Sequence, residues 1–160
     1  MEYNFKDFLL ESEEKDNVMK TIAKLPELHR KLLNGYKFKF QSGNTLKGDK
    51  ESVGMIFQDK IIVAAPWVYS REFIVLHEIA HLFFEKLMTK ELRKKWSELV
   101  RKTKNGQKSD IEKKDKSTDT LNQDDEEVFA MAYGATYAKN PPLVWYNEKW
   151  VDFIKNKIPN

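Results

Sequence analysis

The sequence predicts an α+β fold with N-terminal helices, a small mixed β-sheet, two central helices and a C-terminal helix. Three observations support this. Apolar residues repeat at helical spacing up to residue 33, alternate with polar residues from residue 36, and return to helical spacing from residue 70. With 160 residues and 41% hydrophobic side chains, the chain can close a core, and we expect one domain over residues 1–160.

The first third of the chain has two helical patterns. Val18, Ile22 and Leu25 belong to the first. Pro26 suits the first turn of the second helix and Gly35 its C-terminal end, because proline tolerates the first turn and glycine adopts the conformation that follows the last one. Helices are therefore expected to precede the sheet.

The sheet is predicted between residues 36 and 64. Tyr36, Phe38 and Phe40 alternate with polar residues, which is typical of a strand with one buried face. Residues 53–57 and 60–64 are rich in β-branched and apolar side chains, and two residues separate them. We therefore expect these two runs to form a hairpin.

Residues 73–84 are apolar on almost every side, which predicts a buried central helix beginning near Ser70. A more exposed helical pattern follows over 87–100. Residues 101–125 then contain very few apolar side chains, and we interpret them as a mobile surface loop.

A second buried helix is predicted over 126–138, followed by a last amphipathic helix that Asn147 caps. The apolar residues of that last helix include Trp150 and Ile154.

Composition restricts the partners and the metal chemistry. The sequence has no cysteine, so a metal must be held by imidazole and carboxylate groups. A net charge of +3, from 28 basic and 25 acidic residues, is too small and dispersed to indicate nucleic acid. No apolar run is long enough for a membrane span, and the polar N-terminus lacks a secretory pattern. We expect a cytoplasmic monomer, with release by another route left open.

The motif that indicates chemistry is His77-Glu78-Ile79-Ala80-His81. On a helix, residues four apart lie on one face, so both imidazoles can bind one zinc ion at roughly 2.0–2.1 Å. Glu78 is rotated by about 100° and can act as general base on a zinc-activated water. The alternative is a chance grouping on a core helix. It requires three polar side chains to be buried without partners, at a cost of several kcal/mol.

A catalytic zinc needs a third protein ligand. Glu127 is the first candidate, because Ala130, Gly134 and Ala138 follow it on one helix face and allow close approach to the histidine helix. Glu126 is the second candidate.

Asp124 is the third candidate, and the acids of this segment alternatively serve only to cap the helix. Glu85 lies two turns beyond His77, too far along the helix to share its ion, and is assigned to the surface or to a supporting role. His29 is assigned to the surface or to a helix cap.

These residues resemble a gluzincin metallopeptidase, in which two histidines of His-Glu-x-x-His and a downstream glutamate bind zinc. The segment from Glu127 to Tyr133 is similar to a helix of the anthrax lethal factor-like and Pro-Pro endopeptidase catalytic domains, and the spacing is similar too, with Glu127 lying 46 positions after His81. The resemblance covers roughly residues 36–158 and is specific in these two helices. It implies a zincin-like fold and a zinc-dependent peptidase.

One position departs from that family. Where the family has a transition-state tyrosine, seven residues before the glutamate, this chain has Thr120. Tyr69, Tyr133 or Tyr137 can substitute only if the fold brings one over the metal. Without such a donor, a loss of about 10²–10³ in rate is typical.

The resemblance also implies that extended substrate pairs with an edge strand. The run 60–64, with Ile62 and Val63, is the candidate edge, although its apolar character also fits a central strand. Trp67 and Tyr69 are candidates for a substrate pocket and Tyr133 for substrate contact, with core packing as the alternative.

The sequence therefore predicts a zinc metalloendopeptidase that hydrolyses a peptide or protein substrate. Two alternatives stay open. One is an intracellular regulatory protease with a single protein partner, and the other is a catalytically silent or latent zinc-binding interaction domain.

Overall fold

The computed structural model describes the backbone of residues 5–41, 53–63, 69–111 and 125–160, and the side chains of 14–41, 53–63, 69–103 and 125–160. These residues form an α+β fold with six α-helices and a three-stranded mixed sheet. In chain order the elements are α1 (Phe5–Ala23), α2 (Glu27–Lys31), β1 (Lys37–Phe40), β2 (Gly54–Phe57), β3 (Lys60–Val63), α3 (Arg71–Leu87), α4 (Lys90–Ile111), α5 (Asp125–Tyr137) and α6 (Glu148–Asn156).

The sheet has the order β1-β3-β2, with β3 parallel to β1 and antiparallel to β2. The predicted hairpin is confirmed, and Gln58 makes its turn with a φ of 55°. The prediction that residues 60–64 form the edge is wrong, because β3 pairs on both sides. Its Ile61 and Val63 are fully buried, which is typical of a central strand.

The predicted helix start at Ser70 and the predicted cap at Asn147 are both confirmed. The Ser70 hydroxyl accepts a hydrogen bond from the Phe73 amide, and the Asn147 side chain accepts from Lys149 and Trp150. Such caps satisfy amide groups that have no partner within the helix.

Pro26 lies immediately before α2, and Gly35 follows that helix with a φ of 86°. Glycine adopts this left-handed conformation without steric cost.

Helix α4 differs from the sequence prediction. It begins at Lys90, after a break at Met88, and runs to Ile111, so it includes eleven residues of the predicted loop 101–125. Residues 112–124, with Thr120 and Asp124, lie outside the described residues, as does Trp67. Polar composition alone did not distinguish an exposed helical end from a loop.

The core lies where α3 packs against α5, as the small residues of α5 predict. A Cβ added at Gly134 would meet Phe73 Cε2 at 2.8 Å, so only glycine fits at this contact. Trp96 of α4 is fully buried, and its indole nitrogen donates to the Asp125 carbonyl at 2.7 Å. Helix α4 therefore fixes the first residue of α5.

None of the helices in the described segments is both long and apolar enough to cross a membrane.

Candidate metal centre

Helices α3 and α5 bring three side chains together. His77 and His81 lie one turn apart on α3, and Glu127 lies in the first turn of α5. One ligand atom from each lies within 4.8 Å of the others. The first candidate for the third ligand is therefore beside both histidines.

The distances between these ligand atoms fit a single ion bound by all three side chains. His77 Nε2 and His81 Nε2 are 3.1 Å apart. One Glu127 oxygen is 3.3 Å from His77 Nε2 and the other is 2.9 Å from His81 Nε2. Ligands held at about 2.0–2.1 Å around a tetrahedral ion are separated by about 3.3 Å. The donor set of two imidazoles and one carboxylate fits zinc.

Glu126 points at the same histidine from the other side. Its Oε1 lies 3.0 Å from His81 Nδ1. The second candidate ligand is therefore bonded to the ring nitrogen that faces away from the cluster. Glu85 is exposed, as predicted.

The charges in this group are coupled. Burial lowers the pKa of His81, but hydrogen bonds with Glu127 and Glu126 outweigh it and raise the pKa to about 9. The hydrogen bonds with His77 and then His81 hold the pKa of Glu127 well below its ordinary value. In the metal-free protein at neutral pH, a cationic His81 therefore faces an ionised Glu127.

Glu78 lies next to the cluster with only 8% of its surface exposed. Burial raises the pKa of its carboxyl, while His77 and His81 lower it and Glu127 raises it further. A carboxyl group with a raised pKa holds a proton more readily at neutral pH, as a general base and acid must.

A cleft of about 490 Å³ opens over these groups. Its polar lining consists of His77, Glu78, His81 and Glu127, and its apolar lining of Val53, Tyr69, Phe73, Ile74 and Met131, with Gly54 at the start of β2. Three candidate metal ligands, a buried carboxyl group and an apolar wall thus lie within one cavity.

The structure separates the predicted substrate residues. Tyr69 lines the cleft, stacked on Phe73 with ring centroids 5.0 Å apart, and its hydroxyl accepts from the Trp145 indole at 3.4 Å. Ile62 and Val63 do not line this cleft, because they belong to the central strand. Ile62 and Val63 therefore do not lie at the sheet edge where substrate pairing was predicted.

Tyr133 does not line the cleft either. It is fully buried, and its hydroxyl group is 2.9 Å from His29 Nδ1. That hydroxyl is therefore already hydrogen-bonded within the core. Tyr137 packs against Tyr133 and is also absent from the cleft lining. Among the described tyrosines, only Tyr69 lines the cavity.

His29 is fully buried, and its assignment to the surface or a helix cap is wrong. Its Nε2 lies 2.7 Å from the Pro159 carbonyl oxygen, which can only accept, so Nε2 carries the proton. Nδ1 then accepts from the Tyr133 hydroxyl. His29 thus joins α2, α5 and the C-terminal residues.

Sequence reasoning did not identify several cleft residues that simple spacing indicates. Phe73 lies one turn before His77, and Met131 one turn after Glu127, so each shares a helix face with a candidate ligand. Gly54 belongs to a strand, where glycine often marks a close approach of another group. No comparable feature of the sequence indicates that Val53 and Ile74 line the cleft.

No protein-family model, no curated protein and no solved structure matches this chain.

Proposed function

We propose that the chain is a zinc-dependent metalloendopeptidase in which His77, His81 and Glu127 hold the metal and Glu78 is the general base. The observation that carries this proposal is the convergence of three ligand atoms within 4.8 Å beside a buried glutamate in an open cleft. Two imidazoles with one carboxylate are a ligand set of catalytic zinc sites, which keep one position open.

Bound zinc would supply a Lewis acid that polarises a carbonyl group and acidifies water. Glu78 takes the proton of the attacking water and passes it to the leaving amine, so the peptide bond breaks with no net change in the carboxyl group. Its buried position and raised pKa suit both transfers.

A peptide substrate is favoured by strand β2. This strand pairs with β3 on one side, and no strand pairs with its other side within the described residues. Gly54 of β2 lines the cleft, so an extended peptide can add to this edge while one side chain enters the apolar part of the cavity. Edge strand β2 thus replaces β3 in the proposed binding mode.

The test combines metal content with hydrolysis. Purified wild type is expected to contain about one zinc per chain, and His77→Ala and Glu127→Ala to lose it. Glu78→Gln is the matched control, since it should keep the zinc but fail to cleave a peptide library that the wild type cleaves. A wild type without zinc after reconstitution would contradict the metal centre. Zinc with no cleavage of peptides or proteins would favour an interaction domain.

A further inference from the structure

The two carboxylates at the start of α5 occupy both ring nitrogens of one histidine. Glu126 Oε1 is 3.0 Å from His81 Nδ1, and Glu127 Oε1 is 2.9 Å from His81 Nε2. An ionised carboxylate can only accept a hydrogen bond, so Nδ1 carries a proton toward Glu126. When the other nitrogen loses its proton, its lone pair faces His77 and Glu127.

We propose that Glu126 is a positioning residue for the metal centre. By accepting the Nδ1 hydrogen of His81, it fixes the tautomer and the ring orientation that present Nε2 to the ion. Carboxylates that hold the second nitrogen of a metal-binding histidine also make that histidine a stronger ligand. The inference rests on the proposed function, since it concerns how tightly the same centre binds zinc.

The position of Glu126 is built into the fold. The Trp96 indole holds the Asp125 carbonyl at 2.7 Å, which fixes the residue immediately before Glu126. With the helix start fixed, Glu126 and Glu127 approach the His81 ring from opposite sides. A helix cap alone does not require this arrangement, because capping acids need only face the free amides of their own helix.

His77 and His81 differ in the hydrogen bonding of their Nδ1 atoms. His77 Nδ1 is buried and has no hydrogen-bond partner among the described residues, whereas His81 Nδ1 has Glu126. Loss of Glu126 should therefore change the tautomer and the orientation of the His81 ring and leave those of the His77 ring nearly unchanged.

The first experiment measures zinc affinity of the full chain by competition with a chromophoric chelator. Glu126→Ala should weaken binding about 10–100-fold, and Glu126→Gln less, because its amide oxygen can still accept from Nδ1. Asp125→Asn is the matched control: it removes a neighbouring negative charge in the same helical turn but leaves Glu126 in place. It should bind zinc within about twofold of the wild type, since one partly exposed charge that does not contact the histidines contributes little.

A second readout separates positioning from a general structural effect. In zinc-loaded wild type, the His81 Nδ1 hydrogen should be visible by NMR because its bond to Glu126 slows exchange with water. In Glu126→Ala it should exchange rapidly, while the His77 signals stay in place.

The outcomes distinguish the two proposals. Equal zinc affinity in wild type and Glu126→Ala, with an unchanged His81 signal, would overturn the role of Glu126 and leave the metal centre intact. A wild type that binds no zinc would overturn both. If Glu126→Ala fails to fold, as judged by circular dichroism, Glu126→Leu takes its place, because leucine keeps the side-chain bulk but cannot accept a hydrogen bond from Nδ1. Zinc affinity and a His81 signal equal to those of wild type in that variant would overturn the role.

Discussion

Gly54 lies so close to Glu78 that a Cβ at residue 54 would stand 2.7 Å from Glu78 Oε1. The same Cβ would stand 2.7 Å from Cγ2 of Ile74, one turn earlier on α3. Strand β2 and helix α3 therefore meet at a contact where only a hydrogen atom fits. The missing side chain leaves the space that the proposed general base occupies.

Replacing this glycine should disturb the base and not the metal. In Gly54→Ala, the Glu78 carboxylate must turn away, because both contacts are shorter than real Cβ contacts allow. We expect overpacking to lower the free energy of unfolding by about 1–3 kcal/mol. The rate of peptide hydrolysis should fall at least about tenfold, because a general base that is out of position transfers protons slowly even when substrate still binds.

The measurement compares kcat, zinc content and chemical denaturation of Gly54→Ala with those of wild type. Met55→Ala is a suitable control, because Met55 is on the same strand but exposed. Unchanged hydrolysis in Gly54→Ala would contradict the role given to this contact.

Zinc should stabilise the folded chain, because the three ligands come together only after α3 and α5 have packed. At a free zinc concentration 100 times the Kd, the expected gain is about 2.7 kcal/mol. Differential scanning fluorimetry with and without zinc measures it as an increase in Tm. His77→Ala should show no increase, and an equal increase in that variant would place the zinc elsewhere.

The metal-free protein should lose stability at alkaline pH. The folded-state pKa of His81 is about 9, above its ordinary value of 6.5, so its contribution is complete below pH 6.5 and lost as pH rises through 9. Allowing for the partly exposed Glu127 carboxylate, the loss should be about 1–3 kcal/mol.

Urea denaturation of the chelator-treated protein between pH 6 and pH 9.5 measures this effect. Glu127→Gln should flatten the dependence, because it removes the negative partner. If the metal-free wild type is equally stable at both ends of that range, His81 is not held as a cation by these carboxylates.

His29 should make the protein less stable at acid pH, the opposite of the alkaline loss expected from His81. Burial lowers its pKa, although the hydrogen bond to the Pro159 carbonyl raises it in part. A base with a depressed folded-state pKa contributes stability above its ordinary value of 6.5, and this is lost as pH falls from there toward the folded-state pKa. The free energy of unfolding should therefore decline below pH 6.5, before most carboxylates titrate.

The variant for this test is His29→Gln, which cannot titrate. Its unfolding free energy should be lower at pH 7, by about 1–3 kcal/mol, because buried bonds to Tyr133 and Pro159 are lost or distorted. Its dependence on pH between 6.5 and 5 should also be weaker than that of wild type. An identical slope in both proteins would assign the acid sensitivity to other groups.

Much of the fold was predictable from local patterns. The caps at Ser70 and Asn147, the hairpin at Gln58 and the buried character of α3 follow from residue type and spacing, which act over a few positions. The end of α4 was not predictable, because exposed polar residues are compatible with both a helix and a loop.

Residue spacing was enough to place His77 and His81 on one helix face with Glu78 beside it, since helical geometry fixes the positions of residues four apart. It also favoured Glu127 through the small residues that follow it on α5. The packing of α5 on α3 was needed to show that Glu127 reaches both histidines while Glu126 holds the outer nitrogen of His81. The tertiary structure also decided that β3 is central and that His29 and Tyr133 bond in the core. The separations range from 23 positions between the paired Lys37 of β1 and Lys60 of β3 to 104 positions between His29 and Tyr133. These partners depend on how whole elements pack, which local spacing does not specify.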